Sequence, residues 1–171
     1  MEARIATTAD AAAIAAIYNA GIADRVATFE TEPRTAADVA AWSDGRHPIV
    51  VVAEAGQVIA FASTSTYRPR ACYVGIAEFS VYVAREARGR GAGRLAMEAL
   101  IAEAERAGFW KLVSRIFPEN QASRALMRRL GFREVGIYER HGRLDGVWRD
   151  VVIVERLIPA NAQGAGLSTS A

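Results

Sequence analysis

Residues 78–95 read Glu-Phe-Ser-Val-Tyr-Val-Ala-Arg-Glu-Ala-Arg-Gly-Arg-Gly-Ala-Gly-Arg-Leu, and they constrain the fold more than any other stretch. The first half alternates with the two-residue period of a strand. Beyond it Met97, Leu100, Ile101 and Ala104 form an apolar stripe at helical spacing. Gly89, Gly91 and Gly93 stand where the period changes. A strand that runs through a glycine loop into a helix aims the helix's unpaired N–H groups and positive dipole end at whatever lies before the loop. Glycine lets an anion approach closely, so the loop is a candidate pyrophosphate cradle, with Arg88, Arg90 and Arg94 adding charge. An ordinary solvated strand-to-helix turn would look the same locally. No Gly-Lys-Ser/Thr follows, so this is not a Walker loop, and it lacks the Gly-x-Gly-x-x-Gly Rossmann fingerprint near an initial strand.

Around this segment the chain alternates strands and helices. A short strand at Arg4–Ala6 precedes a helix capped by Thr7 or Thr8 and running to about Asn19. A loop from about Asp24 to Pro33 leads to a helix from Thr35 through Trp42. Ile49–Glu54 and Val58–Thr66 read as a hairpin and Tyr73–Ala84 as a longer strand. The helix Gly91–Ala107, a strand Leu112–Ile116, a helix Ala122–Leu130 and strands Arg133–Tyr138 and Trp148–Leu157 follow. This is an α/β chain: a mixed sheet with helices on its faces. Its 171 residues suit one domain, residues 1–158, with an Ala/Gly/Ser-rich stretch at 159–171 expected to be a flexible tail. With 51% hydrophobic residues the bulk of the chain is not disordered. Its apolar runs are too short for a bilayer, and the N-terminus lacks the apolar core of a signal peptide, so a cytoplasmic location is expected. The single cysteine, Cys72, rules out an internal disulfide and a Cys-rich metal site. A net charge of +2 is too weak to argue for nucleic acid.

Arg88-x-x-Gly91-x-Gly93 resembles the Arg/Gln-x-x-Gly-x-Gly/Ala signature of the GCN5-related N-acetyltransferase (GNAT) superfamily. Further on, Pro118-x-Asn120-x-x-Ser123-x-x-Leu126-x-x-x-Leu130-Gly131-Phe132 resembles the second signature of that superfamily. The resemblance reaches about Leu157. It implies the GNAT acyl-CoA N-acyltransferase fold, a mostly antiparallel twisted central sheet flanked by helices. It also implies acetyl-CoA as co-substrate and no metal. Backbone groups at Val81, Tyr82 and Val83 would then pair with the pantetheine arm. N–H groups of Arg88, Gly89, Arg90, Gly91, Ala92, Gly93 and Arg94 would hold the diphosphate, and Asn120 and Ser123 would line the channel. Read locally, Asn120–Ser123 is equally a helix cap.

Glu78, Ser80 and Tyr82 share one face of their strand, and Phe79, Val81 and Val83 the other. A carboxylate inside an apolar strand is costly unless paired, hydrated or neutral. It serves either as a base for an attacking amine or as the partner of a structural Arg. The flanking residues are similar to the phosphinothricin N-acetyltransferase family: Tyr67-Arg68-Pro69-Arg70, Tyr73, Glu78–Val83, Ala27–Pro33 and Gly146-x-Trp148-x-Asp150. That family includes enzymes for methionine sulfoximine, related glutamate analogues and arsinothricin. The resemblance implies acetylation of the primary amine of a small amino-acid-like molecule, Glu78 as general base, a homodimer, and antibiotic or herbicide resistance as a role. Arg68 and Arg70 offer forked donors that suit a carboxylate and a tetrahedral polar head. Phe29 and Tyr73 shape the pocket or belong to the core, and Thr28 is a further polar candidate. Two positions depart from the pattern: Met127, where relatives place Tyr or His beside the cofactor sulfur, and Asp145, where some place a catalytic His. Asp145-Gly146 also fits a hairpin turn. His47 and His141 are expected at the surface, and Cys72 as a small strand residue. The same fold acting on a peptide N-terminus or a polyamine, and a non-catalytic acyl-CoA sensor, are the rivals. Arg68 and Arg70 argue against the polyamine and the Glu78 segment against the sensor.

Overall fold

The computed structural model describes residues 1–163. The elements run β1 (Glu2–Ile5), α1 (Ala11–Asp24), α2 (Ala36–Ala40), β2 (Ile49–Glu54), β3 (Gln57–Thr66) and β4 (Ile76–Val83), then α3 (Ala92–Arg106), β5 (Lys111–Ile116), α4 (Gln121–Arg129), β6 (Arg133–Leu144), β7 (Val147–Leu157) and α5 (Pro159–Ala162). The seven strands form one sheet in the order β1-β2-β3-β4-β5-β7-β6. Every pairing is antiparallel except β4 with β5. Helix α3 packs across β1 to β4, and α1 lies against β3 and β4. The expected stripe on α3 is the buried one: Met97, Leu100 and Ala104 are inaccessible, with Ile101 packed at its edge.

Several boundaries differ from the sequence expectation. Helix α1 runs on to Asp24 and ends in a left-handed Arg25. The strand expected from Tyr73 starts at Ile76, because Ala71–Tyr73 wind into a 3-10 turn. Strand β6 continues to Leu144, where Asp145 and Gly146, both with positive φ, close a two-residue hairpin into β7. The first residues of the expected flexible tail form α5, tethered by Asn161 Nδ2 donating to Glu105 O (2.7 Å) and Phe109 O (3.0 Å). Residues 164–171 lie outside the described residues.

The start of α1 depends on one buried carboxylate. Asp10 accepts from Arg4 Nη1 (2.7 Å) and Nη2 (2.8 Å) and from the Thr7 N–H (2.7 Å), tying β1 to the helix entry. The Arg4 hydrogen bonds hold its carboxyl well below the usual range; burial opposes them and the Thr7 donors add to them. A depressed folded-state pKa contributes stability that is full above the unfolded carboxylate value of about 4 and is lost as pH falls below it. Asp10→Ala should cost about 1–3 kcal/mol near neutral pH, and the gap to the unsubstituted protein should shrink in acid. Denaturant titrations at neutral and acidic pH measure both.

Candidate active site

The parallel pairing of β4 with β5 covers only Ile76↔Lys111, Ala77↔Leu112 and Glu78↔Val113, although β4 continues to Val83 and β5 to Ile116. The two strands therefore part at Glu78. Beyond it, Ser114 Oγ donates to Phe79 O (2.8 Å), a side chain standing in for a ladder bond. The Ala84 N–H donates to Ile59 O (2.8 Å), so by antiparallel alternation Ser80 and Tyr82 turn their backbones to β3. Val81 and Val83 thus turn their N–H and C=O groups into the gap. Tyr82 is a correction to the expected cofactor contacts. Its backbone pairs with Phe61, and its ring lies edge-on to Tyr18 at 5.0 Å, away from the gap.

The glycine loop closes the far end of the gap. Gly91 caps α3 with φ of 91°, a conformation glycine adopts without strain. The first intrahelical bond is Leu95 N–H to Gly91 O (3.0 Å), which leaves the amides of Ala92, Gly93 and Arg94 before the ladder begins. A Cβ on Gly93 would stand 3.2 Å from Val83 Cγ2 and 3.5 Å from Leu126 Cδ2, so the helix start is seated against β4 and α4. Nothing lies within 4 Å of a Cβ built on Gly89 or Gly91. An open loop with amides ahead of the helical ladder, beside a strand edge that no neighbouring strand pairs and where Val83 O accepts only from Arg88 Nε (3.3 Å), fits an extended, amide-bearing chain with an anionic end, as acetyl-CoA is. Arg88 pairs with Asp24 (2.7 Å), Arg90 with Glu54 (2.7 Å) and Arg94 with Glu98 (2.7 Å). Surface pairs of this kind are worth about 0–1 kcal/mol, so a diphosphate can draw these side chains away. Asn120 caps α4, accepting from the Ser123 N–H (3.1 Å), and its Nδ2 donates to Val26 O (3.3 Å).

Glu78 sits where the strands part, and its carboxylate is ion-paired with Arg115 of β5. Phe29 lies on the same sheet face: it meets Phe117 edge-on at 4.9 Å and joins a small apolar cluster with Leu144, Val151 and Ile153. Ile153 is the register partner of Arg115. At the other side of Glu78, β3 leads through Ser65↔Glu78 and Thr66↔Ala77 into the Tyr67–Tyr73 segment. Tyr67 and Tyr73 meet edge-on at 5.7 Å; Arg68 lies over the Tyr67 ring at 5.3 Å and Arg70 over Tyr73 at 6.0 Å. Arg68, Arg70 and Tyr73 therefore stand at the start of β4 and the glycine loop at its end, while Phe29, on Phe117, lies toward the glycine-loop end. Met127 is buried in the core on α4, and Asp145 is an exposed turn residue paired with Arg25 at 3.0 Å. Cys72 is exposed on the 3-10 turn and not in a strand.

His47 is a second correction. Its side chain is only 7% exposed, pairs through Nδ1 with Asp44 Oδ2 (2.5 Å) and lies 5.2 Å from the Phe109 ring. It lines a cavity of about 470 Å³ together with Tyr18, Trp42, Ser63, Ser65 and Ser80. Arg115, Ser114 and this cavity wall were missed at the sequence level, because only the strand register brings them to Glu78.

A parallel pair that opens beside a glycine-rich helix start defines an acyl-CoA N-acyltransferase fold. The sequence profile described as the acetyltransferase (GNAT) family matches residues 14–132. An L-methionine sulfoximine/L-methionine sulfone acetyltransferase of Pseudomonas paraeruginosa is 36% identical over 157 residues, 89% of this chain and 91% of that protein. Among solved structures, a ribosomal-protein-alanine N-acetyltransferase from Brucella melitensis matches with a TM-score of 0.88 at 33% identity, covering 92% of this chain and 100% of that one. A GNAT superfamily phosphinothricin acetyltransferase from Sinorhizobium meliloti, solved in complex with acetyl-CoA, matches with a TM-score of 0.84 at 32% identity, covering 91% and 87%. The chain belongs to the GNAT acetyltransferase family, and it is an acetyl-CoA-dependent N-acetyltransferase.

Proposed function

We propose that this enzyme moves the acetyl group of acetyl-CoA directly to the primary amine of a small amino-acid-like substrate of the methionine sulfoximine, methionine sulfone, phosphinothricin or arsinothricin type. The observation that carries this is the parting of β4 and β5 at Glu78, which puts one carboxylate at the mouth of the gap. Glu78 takes the proton that the substrate ammonium must lose, and the freed amine attacks the thioester carbonyl. The Val81 N–H, facing the gap, steadies the developing oxyanion. Arg68 or Arg70 swings from its tyrosine ring to the substrate carboxylate; among the described residues neither has a carboxylate of its own at ion-pair distance. With Met127 buried, water carries the proton that the attacking nitrogen loses on forming the amide to the departing thiolate. Exposed Val135, Ile137, Val147 and Trp148 on the β6–β7 hairpin support a homodimer. We place the enzyme in the cytoplasm and assign it a detoxifying role, since acetylation removes the ammonium of an amino-acid analogue.

The name of the Brucella neighbour favours a second reading, in which a protein N-terminus is the acceptor. Free-thiol release against a panel of glutamate analogues, ordinary amino acids and short peptides separates the two. Preference for the analogues, with KM raised about 10–100-fold in an Arg68→Ala/Arg70→Ala double variant, is the expected result. Turnover with peptides alone would sink the substrate assignment.

A further inference from the structure

The cavity of about 470 Å³ beside Glu78 has polar walls that the acetyl transfer itself does not use. Its floor is one face of β3 and β4, with Ser63, Ser65 and Ser80 offering hydroxyls. Tyr18 and Trp42 cover it, and the Asp44–His47 pair stands at one side. The register relates that pair to Glu78. Ile49 is opposite Ser63, and the Thr64 N–H donates to Pro48 O (3.0 Å), so the bend that carries His47 just before Pro48 lies at the Ser65 end of β3, and both residues line the cavity. Ser65 is in turn the partner of Glu78. The cavity therefore reaches from His47 to Ser65, the residue directly across from Glu78.

We propose that this cavity is the subsite for the acceptor's polar head, an oxygen-bearing sulfoximine, sulfone or phosphinate group, and that His47 is the specificity-determining residue that reads it. This rests on the proposed transfer to a small amino-acid-like amine. Ser65 and Ser80 of the cavity stand next to Glu78, across β3 and two residues along β4, so an acceptor whose amine is at Glu78 can lay its head among these hydroxyls. Asp44 binds Nδ1, so Nε2 is the ring nitrogen left for a ligand. Desolvation pushes the Asp44 carboxyl up, but the His47 N–H, the His47 ring and the Arg46 N–H together outweigh it and hold it low, at about 2. The serine hydroxyls donate to further oxygens of a tetrahedral head without adding charge. The subsite takes the head at one end while Arg68 and Arg70 remain for the carboxylate.

The test compares L-methionine sulfoximine with L-norleucine, an amine of like length without head oxygens. In His47→Gln the KM for the sulfoximine should rise about 10–100-fold, while the KM values for norleucine and acetyl-CoA hold. Ser65→Val, which fills the subsite from an exposed position, should show the same selective loss and guards against misfolding of the first variant. An equal change for both amines, or no change for either, in both variants would overturn the subsite. Failure of the unsubstituted enzyme to turn over any small amine would instead overturn the acceptor assignment, and the subsite with it.

Discussion

Glu78→Gln is expected to lower kcat by about 10²–10⁴-fold, the usual loss on removing a general base, while acetyl-CoA affinity stays within about twofold. Glutamine keeps the size of the side chain and its place at the parting of β4 and β5, but it cannot take a proton. The proposed cofactor contacts lie along Val81, Val83 and the glycine loop and do not involve the Glu78 side chain. The rival account of this carboxylate is a structural ion pair with Arg115. Arg115→Ala separates the two. Both side chains are partly exposed, 42% for Arg115 and 27% for Glu78, so the pair is a weak contributor to folding. If Glu78 serves as base, Arg115→Ala leaves most activity in place. Equal losses in the two variants would mean that the pair matters and proton transfer does not.

Gly75→Ala is expected to be the most destabilising small change in the chain. A Cβ there would stand 1.9 Å from Trp110 Cε3 and 2.1 Å from Cζ3, deep inside contact distance. The indole cannot simply retreat, because the Trp110 backbone is fixed at both ends: its N–H donates to Gly75 O (2.8 Å) and its C=O accepts from the Ile158 N–H (2.9 Å). Overpacking of this kind costs typically about 1–3 kcal/mol and occasionally more. For a chain of this length that lowers Tm by roughly 2–12 °C. The same contact sets where β4 and β5 begin to pair, at Ile76↔Lys111, so cofactor affinity should fall with stability. A thermal melt followed by circular dichroism, with and without acetyl-CoA, reads both. A Tm unchanged to within about a degree would show that the ring repacks freely.

Local signals were legible in the sequence. The period change at Gly89–Gly93, the stripe on α3, the Thr35 cap and the Asp145-Gly146 turn each follow from neighbouring residues, and each forms at the expected place. That Glu78 shares a strand face with Ser80 and Tyr82, and the valines the other, is legible for the same reason, since strand alternation fixes which groups share a side. Features that depend on pairing between distant segments were not legible. Whether Glu78 meets an arginine is settled by the β4–β5 register, and Arg115 is 37 residues away. His47 is expected at the surface, yet Asp44 and Phe109 enclose it. Tyr82 was assigned to the cofactor because it stands between Val81 and Val83. Alternation, applied with the β3 partner known, sends it to the other side.

The central claim is direct acetyl transfer to an amine at the parting of β4 and β5. Its most direct test is a rapid-mixing measurement of thiol release from acetyl-CoA, first without an acceptor and then with L-methionine sulfoximine, with the N-acetylated product quantified in parallel. The account predicts no release before the amine is added, then release in step with amide formed on the primary amine. A stoichiometric burst without acceptor, or tight acetyl-CoA binding with no release in the presence of any amine, would contradict it.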